Sequence, residues 1–241
     1  MHPQPEQLKA RPAEITTLLR GEAESLQAWL HNGNGGRWGR ELALILIGSG
    51  SYGAAMGWWR SPEQALFVAV KFPLIILLTT LGNALLNAML APLLGLNLTL
   101  RQTLRAVLMS FTISSAIMGA FSPLIAFLVW NAPAMVAKNI SGTTYNFILL
   151  AHVIVIALAG ITGNVRLFQL LSRLAGSRAI ARRVLFAWLA GNLFFGSQLT
   201  WILRPFIGSP TLPVEFFRAS ALHGNFFEAV LHSLQQIFHS N

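Results

Sequence analysis

Five long apolar stretches, divided by short and mostly basic connections, constrain this chain more than any other feature. They run roughly over 41–59, 64–94, 104–130, 143–165 and 180–204. Each is about as long as the ~20 residues that a helix needs to cross a ~30 Å hydrocarbon core. The pattern predicts an all-α polytopic transmembrane bundle of about five spans. Composition agrees: 54% of the residues are hydrophobic and only 10% are charged. A soluble fold of 241 residues would leave much of that apolar surface in water.

The formal net charge of +9 arises from 17 Lys and Arg against 8 acids, all of them glutamate. Most of the basic residues flank the apolar stretches, so the partner they imply is an anionic lipid headgroup rather than nucleic acid. Cysteine is absent, which excludes disulfide, thiolate and iron–sulfur chemistry on this chain. The first forty residues are polar, with four glutamates, and do not read as a secretory leader. The first span is therefore expected to direct insertion.

Three regions follow. Residues 1–36 form an arm: Ile15, Leu18, Leu19, Leu26, Trp29 and Leu30 recur at helical spacing opposite Glu14, Arg20, Glu22 and Glu24, and Asn32 to Gly36 is a flexible break. Residues 37–204 carry the spans. Residues 205–241 begin with a stiff Pro/Gly loop and end in a second amphipathic segment, with Phe226, Phe227, Val230, Leu231, Leu234, Ile237 and Phe238 on one face. Amphipathic interfacial helices are thus expected at both ends. Ser61-Pro62-Glu63-Gln64 and Thr99-Leu100-Arg101-Gln102 read as capping boxes opening the second and third helices. Lys71 is expected to snorkel outward, and Tyr52, Trp58 and Trp59 to sit in an interface belt.

Orientation follows from the cations. With the N-terminus inside, the cytoplasmic face receives Arg37, Arg40, Arg101, Arg105, Arg166, Arg173, Arg178, Arg182 and Arg183. The far face receives Arg60, Lys138, Arg204 and Arg218. The positive-inside rule then favours N-inside and C-outside, and short loops without a leader suggest a bacterial inner membrane.

Several constellations are candidate sites. Ser49, Gly53 and Gly57 make a small-residue face on the first span, suited to close helix packing within the chain or to self-association. Thr80, Asn83 and Asn87 on the second span, Ser115 on the third, and Asn192 and Thr200 on the fifth form a polar seam if they converge. Interhelical hydrogen bonding is the plainer reading of such residues, and a solute path the bolder one. Arg204, ending the fifth span before Pro205, Gly208 and Pro210, is placed to hold an anionic headgroup or a neighbouring subunit; Arg166, Arg173, Arg178, Arg182 and Arg183 offer the same on the other side. His152 stands among aliphatic residues and reads as a packing histidine. No metal-like spacing, nucleotide loop or acid–base pair within the spans is present, so no cofactor or catalytic residue is assigned.

Leu94-Gly95-Leu96-Asn97-Leu98-Thr99-Leu100-Arg101-Gln102-Thr103-Leu104-Arg105 is a glycine-containing turn, then a polar pre-helix with a Gln-Thr-Leu-Arg run. Together with the order of elements, it resembles the Yip1-domain membrane proteins over about residues 41–204. That resemblance implies a five-span scaffold acting through protein or lipid contacts, with no catalytic residues.

The reading that results is a non-enzymatic membrane scaffold or accessory subunit of a complex. The alternatives are a small transporter or channel subunit with its seam between spans two, three and five, and a membrane-embedded lipid-modifying enzyme.

Overall fold

The computed structural model describes residues 35–135, 142–208 and 213–239. The expected N-terminal amphipathic segment and Lys138 lie outside them. Six helices make up the described chain: α1 (Gly35–Trp58), α2 (Pro62–Leu93), α3 (Leu100–Trp130), α4 (Gly142–Leu174), α5 (Arg178–Leu203) and α6 (Phe226–His239). Among the described residues there is no strand.

The caps explain where the helices begin. Thr99 and Gln102 form the full reciprocal box at α3, each satisfying a backbone N–H that the first turn leaves without a partner. Ser61 caps α2 with Pro62 at the first helical position, but only half the expected box forms. The Ser61 hydroxyl accepts from the Gln64 amide at 3.0 Å, while the Gln64 side chain is used elsewhere. Ser177 opens α5, following a turn in which Gly176 takes φ +60, a conformation that glycine reaches without steric cost.

Helix α4 corrects the boundary expected from hydropathy. It continues past residue 165 to Leu174, so Arg166 and Arg173 lie on helix, and only three residues separate Leu174 from Arg178. The basic stretch is an antiparallel helix junction rather than a long connection.

Three helices are both long and apolar enough to cross a membrane: α2, α3 and α4 from Thr143. At 24 and 26 residues α1 and α5 have the length, but glycine, serine, asparagine and arginine dilute their apolar character. The described residues are thus all-helical, with three helices suited to crossing a membrane.

α1 packs between α2 and α3; α3 also packs on α4, and α2 on α5. Glycines decide how closely. A Cβ on Gly48 would collide with the Ser115 carbonyl, one on Gly53 would lie 2.5 Å from the Val68 carbonyl oxygen, and one on Gly57 would lie 2.6 Å from that of Gln64. Gly119 faces Gly48 across the α1–α3 crossing, where a Cβ would sit 2.8 Å from its Cα. Where lipid is as apolar as leucine, such backbone proximity supplies the dispersion contacts that hold helices together. The outward faces are apolar instead of polar: Leu93 is 81% exposed, Met89 74% and Phe127 67%.

Candidate functional site

Three groups of polar residues stand out in the bundle, the second and third sharing the loop after α5. The first joins α2 to α5. Asn83 donates to the Trp188 carbonyl at 3.3 Å and to Asn192 Oδ1 at 2.6 Å, and accepts from Asn87 Nδ2 at 2.7 Å. Gly191 leaves room for that amide, since a Cβ there would meet Asn83 Oδ1. Thr80, on the same helix, donates back to the Ile76 carbonyl at 2.7 Å. Ser115 and Thr200 do not join this group: Ser115 is buried at the α1–α3 crossing, and Thr200 faces a cavity two turns further along α5.

The second group clamps the loop after α5 onto α2. Gln64 donates to the carbonyls of Pro205 (2.9 Å) and Phe206 (3.0 Å). Lys71, fully buried, donates to the carbonyls of Pro205 (3.4 Å) and Glu215 (3.3 Å) and lies 5.2 Å from the centre of the Phe216 ring. The expected snorkelling of Lys71 is therefore replaced by capture: carbonyls of a folded-back loop solvate the ammonium within the protein. Gln64 and Lys71 are two helical turns apart on one face of an apolar helix, a spacing that in retrospect signals a shared polar partner. Phe72 and Phe206 meet edge to face, with ring centres 6.0 Å apart.

The interface belt is also redrawn. Trp58 is half exposed, but Tyr52 and Trp59 are buried. Trp59 donates to the Pro133 carbonyl at 2.9 Å, and the Tyr52 hydroxyl lies 2.9 Å from His152 Nδ1. Both belong to the core because their polar tips find partners, Tyr52 on α4 and Trp59 on the connection after α3.

The third group lines a cavity of about 720 Å³, within the range of small-ligand pockets. Its walls are apolar side chains of α1 to α4, including Phe72, Phe111, Met118 and Ile156. Residues Arg204–Gly208 and Arg218 close one end, and Ala159 and Gly160 line the other. Val153, on the wall, is 53% exposed, so the cavity opens sideways along α4. The Arg204 guanidinium stacks 3.2 Å over Trp201, while its Nη1 is buried without a hydrogen-bond partner among the described residues. His152 is 2% exposed, and its Nε2 has no partner among the described residues. No carboxylate is among the described residues that line the cavity.

The remaining predicted cations stand apart from this. Arg173, Arg178, Arg182 and Arg183 are exposed at the α4–α5 junction, and Arg166 bonds Gln169 at 3.0 Å. Of the second amphipathic segment, α6 docks by its start: the Phe226 amide donates to Gln198 at 3.3 Å, and Phe227 stacks on Phe194. Glu228 is engaged there with Asn225, its amide donating to Asn225 Oδ1 at 2.9 Å. Among the described residues no group of three or more His, Cys, Asp or Glu is arranged to hold a metal.

No protein-family model matches the chain, and no curated protein or solved structure is detectably similar to it.

Proposed function

We propose that this chain is a five-span, non-enzymatic scaffold or accessory subunit of a membrane complex, acting through helix and lipid contacts. The Asn83–Asn192 bond and the Asn87 bond that extends it carry this reading. They spend the seam amides on joining α2 to α5, which withdraws them from a solute path. The small-residue face works in the same sense, since Gly53 and Gly57 pack against α2 within the chain. What remains for neighbours is the apolar outer surface, the tail helix α6 and the exposed arginines. The resemblance to Yip1-domain proteins points the same way.

In this reading α1 and α5 complete the five spans. The arginines of the α4–α5 junction face the cytoplasm, the post-α5 loop lies on the far side, and the membrane is a bacterial inner membrane. Because the chain has no cysteine, single cysteines report topology directly. Gly39→Cys and Leu222→Cys should label from opposite sides with an impermeant maleimide; labelling from one side defeats the five-span arrangement. Purification in mild detergent should retain a stoichiometric neighbour or a defined oligomer. A strictly solitary chain defeats the scaffold reading.

A further inference from the structure

We propose that the cavity between α1, α2, α3 and α4 binds one anionic phospholipid of the bilayer, its phosphate between Arg204 and Arg218 and an acyl chain running inward toward Gly160.

The polarity of the cavity has this ligand's shape. Both cations stand at one end and apolar side chains make the walls, with His152 between. Along α4, which frames one side, the rise of a helix puts His152 about 10 Å below Tyr145 and Gly160 about 12 Å further in. That is a headgroup level, a level for an ester, and a depth that takes a chain beyond the middle of a ~30 Å core. Arg204 is ready for a phosphate oxygen: Trp201 holds the plane of the guanidinium, and Nη1 lacks a partner among the described residues. Two guanidiniums at one cavity end, with no carboxylate among the described lining residues, leave positive charge for an anion to neutralise. His152 adds a second polar point. The tautomer that accepts from Tyr52 at Nδ1 carries its hydrogen on Nε2, the atom without a partner among the described residues, where an ester carbonyl would accept it. The side opening past Val153 gives a bilayer lipid a route that never leaves hydrocarbon.

The headgroup must supply the selectivity. Moving a tail from lipid to an apolar protein wall exchanges one hydrocarbon for another and gains little. Each cation near an anionic headgroup favours it by enough that two together give about a thirty-fold preference at low salt.

The test uses the purified full chain in detergent, native mass spectrometry, and phosphatidylglycerol against phosphatidylcholine with identical oleoyl chains. One phosphatidylglycerol per chain should be retained at about thirty-fold lower concentration than phosphatidylcholine. The double variant Arg204→Gln/Arg218→Gln should bring the two lipids level. Gly160→Phe addresses the other end. Gly160 lines the cavity and a Cβ there meets nothing within 4 Å, so a ring can be added without displacing the fold. It should abolish single-site retention of phosphatidylglycerol while helical circular dichroism and melting stay at or above wild type. Equal binding of both lipids by wild type overturns the proposal. So does a preference that survives loss of both arginines, or a lipid that stays bound when Gly160→Phe fills the inner end.

Discussion

Asn83→Ala removes the centre of the amide ladder between α2 and α5. The Asn83 amide takes part in three hydrogen bonds: to the Trp188 carbonyl at 3.3 Å, to Asn192 at 2.6 Å and from Asn87 at 2.7 Å. Interhelical hydrogen bonds within membranes average ~0.6 kcal/mol each and reach ~1.7 kcal/mol. The two that cross to α5 make about 1.2 kcal/mol at average strength, a roughly eight-fold shift in the unfolding equilibrium, and the third lies within α2. Asn87→Ala loses only its one bond to Asn83, made within α2, and should cost less. Equilibrium unfolding by SDS in mixed micelles, followed by circular dichroism, measures both. A double-mutant cycle of Asn83→Ala with Asn192→Ala should return a coupling of about 0.6 to 1.7 kcal/mol. If Asn83→Ala is as stable as wild type, or if Asn87→Ala costs more, the ladder is not what joins α2 to α5. The interior amides then need another purpose.

Two further substitutions test the packing and the clamp. Gly53→Leu pushes a side chain into the backbone of α2 around Val68 and should destabilise by about 1–3 kcal/mol, read by the same SDS titration, whereas Gly39→Leu, with nothing within 4 Å, should be neutral. Lys71→Met keeps the volume but abandons the carbonyls of Pro205 and Glu215; limited proteolysis should then cut between residues 205 and 218 at least several-fold faster, and an unchanged rate refutes the clamp.

Much of this protein is local and therefore readable in the chain. The helices α2 and α3 start where Ser61 and Thr99 cap them, and Pro73 and Pro123 sit within helices that continue past them. Arg204 at the end of α5, ahead of its Pro/Gly loop, is readable in the chain as a candidate anion contact. What hydropathy could not supply was the end of α4. Arg166 and Arg173 break the apolar run without breaking the helix, because arginine is a good helix former that merely leaves the hydrocarbon.

The amino-acid sequence alone determined that the chain is helical and membrane-bound, since about twenty apolar residues in a row have few other stable options. Only the tertiary structure decided which side chains meet. Tyr52 reaches His152 a hundred positions away, and Lys71 reaches Glu215 over a still longer separation. In water a polar face and an apolar face announce which side is buried. In a bilayer the lipid-facing and protein-facing sides are equally apolar, so partner choice passes to glycine clearances and scattered hydrogen bonds whose ends lie far apart in the chain.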